Sequence, residues 1–192
     1  MPFIFNNLDL PGVVLVEPRV FPDGRGFFME TYKKSHFDSA GIAGPFVQQN
    51  QSQSQAGTLR GLHFQRAPKA QGKLVRVLAG EIFDVAVDTR RGSPACGRWV
   101  GVTLSAANRH MLYVPPWCAH GFYVTGDSPA EVLYMTTDEY SAPHESGFQW
   151  DDPRLAIAWP RTPELVAERD RRWPPFEPID WAAAGENGDY QL

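Results

Sequence analysis

The residues best suited to chemistry are polar side chains inside segments that are otherwise typical of β-strands. The run 48–54 reads QQNQSQS, with Gln48, Asn50 and Ser52 at intervals of two. Because successive side chains of a strand point to opposite faces, these three would share one face. Such a face could line a cavity for a polar ligand, but a solvated sheet edge would show the same pattern. This run alone does not separate the two interpretations.

A second group consists of three basic side chains, Arg60, His63 and Lys73. A histidine can act as a general base because its ordinary pKa lies near neutrality. The alternative for His63 is a hydrogen-bonded core histidine, and a lysine that opens an apolar strand commonly extends to solvent. Arg60 and His63 have opposite parity, so they share a face only if Gly61 marks a β-bulge.

The remaining candidates lie in the second half of the chain. Each has a simple structural explanation: a surface histidine after a turn, tyrosines in the core or at a strand edge, and a charged helix end. These residues indicate a functional site only when they are considered together. The members are His120, Tyr134, Tyr140, Glu145 and the charged run 168–172 with Arg169 and Asp170.

The composition favours an all-β protein. The chain has 192 residues, with 17 glycines and 17 prolines spread along it, and 12% of its residues are aromatic. Glycine and proline interrupt helices, and aromatic residues favour strands. The 18 Lys and Arg against 22 Asp and Glu give a net charge of −4, which provides no general surface for nucleic acid. With no membrane-length apolar run and no basic leader, we expect a cytoplasmic protein.

Short runs in which apolar and polar residues alternate recur between residues typical of turns. Phe83, Val85 and Val87 share one face of such a run, with Asp84 and Asp88 on the other. Runs at this spacing of about ten residues predict a β-sandwich or barrel. The clearest runs are 73–78, 81–88, 99–104, 111–114 and 131–136.

Helical signals are few. We predict a short turn at 36–40 and a helix over 163–169, where a proline takes the first helical position. The chain contains no repeat or linker, so we assign a single domain to 1–192. Within it, 1–45 forms N-terminal strands and an arm, and 174–192 forms a loosely packed C-terminal tail.

Taken in order, these segments resemble one family, the dTDP-4-dehydrorhamnose 3,5-epimerases. The resemblance covers nearly the whole chain, from about residue 5 to about residue 175. It implies a cupin-like jelly-roll β fold. The matching stretches are DGRGFFME at 23–30, TLRGLHFQ at 58–65, QGKLVRV at 71–77, GEIFDVAVD at 80–88, AHGF at 119–122, residues 134–140 and WDDP at 150–153.

The resemblance also implies roles for individual residues. His63 is expected to be the general base with Asp170 as its carboxylate partner, and Tyr134 the general acid on the other face of a sugar. Lys73 is expected to stabilise the oxygen of an enolate, and Tyr140 to lie near the thymine. The implied substrate contacts are Arg25, Phe27, Glu30, Gln48, Asn50, Arg60, His120, Tyr140, Glu145 and Arg169.

The resemblance further implies the ligand and the assembly. The substrate would be a dTDP-4-keto-6-deoxyhexose, and its epimerisation needs no redox cofactor. Family members are usually homodimers in which the N-terminal strand of one subunit completes the partner's site, so Arg25, Phe27 and Glu30 are expected to act across an interface. Many cupins bind a metal through an HxH pair, but this chain reads HFQ at 63–65, so we expect no metal.

The chain departs from the family pattern at four positions. Trp117 and Cys118 replace the usual glycine and phenylalanine, and Met135 replaces a lysine after the implied acid. Arg169 replaces a lysine and keeps its charge with a different geometry. We expect Trp117 to lie beside the pocket and to change its shape.

The leading hypothesis is a metal-free epimerase of the dTDP-L-rhamnose route. It would invert carbons 3 and 5 of dTDP-4-dehydro-6-deoxy-D-glucose to give dTDP-4-dehydro-L-rhamnose. Epimerisation at only one carbon is a close alternative, and Tyr134 together with the His63–Asp170 pair disfavours a 3,4-ketoisomerase. A non-catalytic sugar-nucleotide-binding cupin would need no opposed acid and base, and a metal-dependent oxygenase would need stoichiometric metal.

Overall fold

The computed structural model describes residues 2–42 and 44–181, which form two main β-sheets and a separate hairpin. Among these described residues, no helix is long and apolar enough to cross a membrane. The cytoplasmic location expected from the sequence stays a prediction. The first sheet has the spatial order β1 (Phe3–Asn7), β2 (Val14–Pro18), β10 (Met111–Val114), β7 (Lys73–Ala79), β12 (Ala130–Thr136) and β5 (Gln48–Ser54).

The second sheet and the smaller elements complete the fold. The second sheet has the order β13 (Glu145–Gly147), β6 (Thr58–Gln65), β11 (Cys118–Val124), β8 (Glu81–Asp88) and β9 (Trp99–Ser105), and β14 (Leu165–Val166) pairs with β6 in parallel. The other elements are the hairpin strands β3 (Val20–Asp23) and β4 (Gly26–Met29), the helices α1 (Lys34–Ser39) and α2 (Glu168–Arg171), and a 3-10 turn at Ala142–His144.

The predicted all-β fold class is confirmed, and the alternating runs 81–88 and 111–114 are strands with the predicted bounds. The turn predicted at 36–40 overlaps α1. The helix predicted over 163–169 is wrong. There the backbone amides of Glu164 and Leu165 donate to the Gly57 carbonyl, and β14 joins the edge of β6. This non-local pairing outweighs the local helix propensity.

The interior between the two sheets is apolar at one end. Val75 and Leu112 from the first sheet pack in one buried cluster with Ile82 and Leu104 from the second. Burying each such side chain contributes roughly 1.5–3 kcal/mol. This cluster holds the sheets face to face and leaves the other end of the interior for polar groups.

Gly61 produces the bulge on which the position of His63 depends. His120 pairs with His63, while Phe122 pairs with Arg60, so β6 carries one extra residue between these two pairs. Gly61 has a φ of +136°, and a Cβ at this position would lie 2.6 Å from the Cα of Gly121. Only glycine fits such a close approach. The condition under which Arg60 and His63 share a face, a bulge at Gly61, is therefore met, and both side chains line the same cavity.

The segment after Trp173 packs against the outer face of the second sheet. Phe176 is 6% exposed and lies 5.1 Å from Phe148, measured between ring centroids. Ile179 forms a β-bridge with Arg90. The expectation of a loosely packed tail is therefore wrong for 174–181, because this segment covers apolar surface of the sheet. Residues 182–192 lie outside the described residues, and the single-domain assignment stays a prediction.

We predict that Phe176→Ala lowers the free energy of unfolding by about 3 kcal/mol, because it opens a cavity against Phe148. Urea unfolding followed by tryptophan fluorescence measures this change. The neighbouring exposed Glu177→Ala is the matched control and should change stability by less than about 0.5 kcal/mol. Equal small effects for both variants would show that this segment does not stabilise the fold.

Candidate active site

A cavity of about 320 Å³ occupies the polar end of the interior between the two sheets. The first sheet contributes side chains from β5, β7 and β12, and the second contributes side chains from β6, β11 and β13. Most of the site residues predicted from the sequence therefore meet in one place. Those that line the cavity are Gln48, Asn50, Arg60, His63, Lys73, His120, Tyr134, Tyr140, Glu145 and Arg169.

One wall of the cavity is the inner face of β5. Gln48, Asn50 and Ser52 all line it, whereas the glutamines between them point to solvent. β5 is also the last strand of its sheet. Both interpretations of this run are therefore correct, since one face of an edge strand forms the polar wall of a cavity.

His63 and Asp170 form a hydrogen-bonded pair at the base of the cavity. His63 Nε2 lies 2.7 Å from Asp170 Oδ1, and the Gly61 amide donates to the other carboxylate oxygen over 3.2 Å. Asp170 comes from α2, a single turn packed against β6. Asp170 is not itself a lining residue, since it lies behind His63 and is only 2% exposed.

The environment of this pair favours a neutral imidazole beside a charged carboxylate. Burial lowers the pKa of His63, and the hydrogen bond and charge of Asp170 offset only part of this effect. Burial opposes ionisation of Asp170, but the hydrogen bonds from His63 and the Gly61 amide and the positive charge of Arg169 hold its pKa below the ordinary value. A neutral histidine whose Nε2–H donates to a carboxylate has a free Nδ1 that can accept a proton.

Tyr134 approaches the same cavity from the other sheet. It lies on β12 in the first sheet, whereas His63 lies on β6 in the second. Burial raises the pKa of Tyr134, and the nearby Arg60 guanidinium offsets part of this rise. The phenol therefore remains protonated at neutral pH, as a proton donor must.

Lys73 brings a half-buried cation into the cavity from the start of β7. Burial lowers the pKa of this amine to about 8, although the negative charges of Asp84 and Glu145 act in the opposite direction. At pH 7 most Lys73 side chains still carry the charge. A cation in a desolvated site interacts more strongly with a developing anion than it would in water.

His120 forms a second histidine–carboxylate pair. Its Nε2 lies 2.7 Å from Asp84 Oδ1, and both side chains are buried. The interpretation of His120 as a surface histidine is therefore wrong. Sequence reasoning did not identify Asp84 as a site residue, although a carboxylate inside an apolar alternating run was a usable signal, because such a group needs a buried partner.

The open end of the cavity carries a chain of polar contacts. The Tyr140 hydroxyl donates to Glu145 Oε2 over 2.9 Å, and Arg169 Nη1 donates to both oxygens of the same carboxylate over 3.0 Å. Arg169 Nε also lies 3.4 Å from Asp170 Oδ1. These contacts join residues of three separate segments and place two charged side chains near the mouth.

Sequence reasoning missed several cavity residues. Gln65 and Gln71 line the cavity and are buried, and Phe122 adds an apolar surface. Gln65 lies two residues after His63 on the same strand, so its parity placed it on the cavity face. Gln71 lies in a loop, where no periodic signal could have identified it.

Three predicted substrate contacts do not line the cavity of their own chain. Arg25 and Phe27 lie on the β3–β4 hairpin and Glu30 directly follows it. Phe27 is 54% exposed, and the guanidinium carbon of Arg109 lies 4.4 Å from its ring centroid. Glu30 Oε2 is buried and has no hydrogen-bond partner among the described residues.

The family departures lie away from the cavity, with one exception. Trp117 does not line it, which corrects the expectation that this indole shapes the pocket. Its ring packs against the apolar core, with the Arg90 guanidinium 5.0 Å from its centroid. Cys118 is a core residue, and Met135 packs on the outer side of the first sheet. Only Arg169 contributes to the cavity.

The described residues contain no group of three or more His, Cys, Asp or Glu side chains that could hold a metal ion. At the second position of a cupin HxH pair, Gln65 directs its amide nitrogen to the carbonyls of Lys69 and Glu139. Its amide oxygen accepts from the Ser141 backbone. The prediction that the reaction uses no metal or other cofactor stays a prediction.

The fold and the cavity define a cupin-like β protein with a candidate base and a candidate acid on facing sheets. The profile of the family described as dTDP-4-dehydrorhamnose 3,5-epimerase matches residues 7–178. A protein of that name from Pseudomonas aeruginosa is 50% identical over 176 residues, which cover 91% of this chain and 96% of the relative. The chain belongs to the dTDP-4-dehydrorhamnose 3,5-epimerase family.

Two further comparisons agree with this assignment. A dTDP-4-dehydrorhamnose 3,5-epimerase from Neisseria gonorrhoeae is 52% identical over 162 residues, covering 84% of this chain and 49% of the relative, so the chain spans about half of that relative's length. A crystal structure of dTDP-6-deoxy-D-glucose-3,5-epimerase from Legionella pneumophila, in complex with dTDP-4-keto-L-rhamnose, superposes with a TM-score of 0.88 at 41% identity. That match covers 95% of this chain and 97% of the Legionella chain.

We predict that the His63 imidazole titrates below its ordinary pKa and that Asp170→Asn lowers this pKa further. The sign follows because the Asp170 carboxylate stabilises the imidazolium, and its removal leaves the effect of burial unopposed. Nitrogen-15 NMR of labelled histidine measures the shift. Glu168→Gln, at an exposed carboxylate two residues away, should leave the titration unchanged. A higher pKa in Asp170→Asn would contradict this electrostatic description.

Proposed function

We propose that this protein is an epimerase that inverts carbons 3 and 5 of dTDP-4-dehydro-6-deoxy-D-glucose and so produces dTDP-4-dehydro-L-rhamnose, the precursor of dTDP-L-rhamnose. The observation that carries the proposal is the position of His63 and Tyr134 on facing sheets of one cavity. Inversion at a carbon requires that a proton leaves one face and returns to the opposite face. Membership in the family supports the same reaction.

The first step is removal of a proton from a carbon beside the ketone. His63 accepts this proton at Nδ1, since its Nε2 is occupied by Asp170. Asp170 fixes the tautomer and stabilises the imidazolium that forms. Burial keeps the pKa of His63 low, so the base is deprotonated at neutral pH.

The negative charge then develops on the ketone oxygen. Lys73 is the cation that stabilises this enolate, and the interaction is stronger in the transition state than with the neutral ketone. Both target carbons flank the same ketone, so one cation serves both enolates. Tyr134 then donates its phenolic proton from the opposite side of the ring.

The other predicted contact residues that line the cavity bind the nucleotide sugar. The chain is acidic overall, so a diphosphate needs a local cationic region. Arg60 and Arg169 supply this positive charge at the cavity. We assign Gln48, Asn50, His120 and Glu145 to polar contacts with the substrate, and Tyr140 to the thymine base.

We also infer that a second copy of this chain completes the site. The β3–β4 hairpin exposes apolar rings, and Phe28 is 66% exposed. Exposed aromatic side chains of this kind are typical of interfaces. The hairpin and the residue after it carry the predicted contacts Arg25, Phe27 and Glu30, none of which lines the cavity of its own chain. A partner's hairpin would bring these side chains to the cavity.

Incubation with dTDP-4-dehydro-6-deoxy-D-glucose in heavy water tests the function. We predict deuterium at both carbons and an inverted product, detected by proton NMR and mass spectrometry. Label at only one carbon would support the mono-epimerase alternative. No label, together with dTDP binding, would identify a non-catalytic sugar-nucleotide-binding protein and would contradict the proposal.

Two variants assign the base and the acid in the same assay. His63→Ala should abolish exchange at both carbons, a loss of at least about a hundredfold, because the base is gone. Tyr134→Phe should lose inversion more strongly than exchange, since abstraction by His63 is still possible. Normal inversion by Tyr134→Phe would remove Tyr134 from the mechanism, and exchange at the native rate by His63→Ala would remove His63.

Subunit mixing tests the shared site. Arg25→Ala and His63→Ala, each expected to be impaired alone, should regain activity when they are refolded together. Each mixed dimer then has one intact site, so random pairing restores about a quarter of wild-type activity. Mixing His63→Ala with Tyr134→Phe is the matched control and restores nothing, because both side chains belong to the same cavity. Failure of the Arg25 mixture to recover would show that the hairpin acts within its own chain or not at all.

A further inference from the structure

Gln65 has a side-chain environment that the proton-transfer mechanism does not explain. It lies on β6 two residues after His63, lines the cavity and is only 4% exposed. Its amide nitrogen donates to the carbonyls of Lys69 and Glu139 over 2.6 and 3.2 Å. Its amide oxygen accepts from the Ser141 backbone over 2.7 Å. Both hydrogens and the oxygen are thus used by backbone groups, which leaves no amide hydrogen for a substrate.

Two of these three backbone groups belong to the segment 137–141, which carries Tyr140. Other side chains hold the same segment. Gln71 donates to the Asp138 carbonyl over 2.6 Å, and Gln48 accepts from the Tyr140 amide over 2.8 Å. Thr137 exchanges two hydrogen bonds with the backbone of Gly72. This segment has no helix or strand of its own, so these bonds replace a regular backbone ladder.

Gln65 makes more bonds to this segment than Gln71 does, and it is also linked to the mouth of the cavity. Glu145 lies opposite Gln65 in the pairing of β13 with β6. The Tyr140 hydroxyl in turn donates to Glu145. Gln65 therefore lies between the two parts of the protein that hold the Tyr140 side chain. These are the backbone segment 137–141 and the carboxylate of Glu145.

We propose that Gln65 is a positioning residue that fixes Tyr140 at the mouth of the cavity and thereby sets affinity for the nucleobase of the substrate. This role rests on the proposed function, which assigns Tyr140 to the base. It concerns binding and not proton transfer, since Gln65 acts through Tyr140 and needs no contact with the sugar carbons. A loosened segment would lower nucleotide affinity because Tyr140 would have to be ordered on binding.

The test uses Gln65→Met, which keeps a long side chain of similar shape and removes the amide. We expect the dissociation constant for dTDP, measured by calorimetry, to rise about tenfold. The KM of the dTDP-sugar should rise in parallel, while kcat at saturation stays within about threefold. Gln51→Met, on the exposed face of β5, is the matched control and should bind dTDP as the wild type does.

A double-variant cycle separates positioning from a general loss of structure. Tyr140→Ala alone should weaken dTDP binding. If Gln65 acts through Tyr140, adding Gln65→Met to Tyr140→Ala should weaken binding by less than about twofold more. The proposal is overturned if the effects of the two single variants on the dissociation constant for dTDP multiply in the double variant. It is also overturned if Gln65→Met binds dTDP with wild-type affinity, or if its kcat falls while its KM is unchanged.

Backbone hydrogen exchange adds a readout that needs no substrate. The Ser141 amide should exchange at least about tenfold faster in Gln65→Met, because its acceptor is gone. Unchanged exchange would overturn the proposed positioning role of Gln65.

If Gln65→Met does not fold, Gln71→Met provides the test, since it removes one hydrogen bond to the same segment. It should weaken dTDP binding about threefold, and unchanged affinity would refute the proposal. A wild type that binds dTDP without heavy-water exchange would refute the epimerase function and leave the Gln65 test decisive.

Discussion

The hydrogen bond between His63 and Asp170 joins parts of the chain that are 107 positions apart. A carboxylate that is 2% exposed is stable only with partners, and Asp170 has three, the His63 ring, the Gly61 amide and the Arg169 guanidinium. The Gly61 contact matters because the bulge at this glycine turns His63 and Arg60 to the same side. α2 is too short to be stable alone, so it forms because this carboxylate and the sheet hold it. The geometry of the base and the fold of the C-terminal segment therefore depend on each other.

The interior between the two sheets is divided into an apolar end and a polar end, and this division affects the pKa values of the site residues. The apolar end stabilises the sandwich, and the polar end places ionisable groups where water is scarce. Burial lowers the pKa of His63 and raises that of Tyr134, so the base stays free and the acid stays protonated at neutral pH. Burial also lowers the pKa of Lys73 to about 8, which still leaves the amine mostly charged at pH 7. Desolvation thus leaves each of the three groups in the protonation state that the proposed epimerisation requires.

Local patterns in the sequence predicted much of the fold and of the site. Alternation and turn residues predicted β7, β8, β9, β10 and β12, and parity placed Gln48, Asn50 and Ser52 on the one face of β5 that lines the cavity. The errors arise where distant segments meet. β14 forms because the edge of β6 is free to pair, which no local propensity records. The packing of Phe176 and the position of Trp117 depend in the same way on surfaces that exist only after the sheets have formed.

Gln65 shows how one position of a cupin-like sheet can be used for a different purpose. In cupins with an HxH pair, this position offers a ring nitrogen to a metal. Here the amide faces the backbone, and it could turn toward a ligand in the cavity only by giving up its bonds to Glu139 and Ser141. The buried carbonyl and amide left behind would each cost about 1–3 kcal/mol. Where a cupin HxH pair has its second histidine, this chain therefore has a glutamine whose amide is bonded to the backbone of the segment that carries Tyr140.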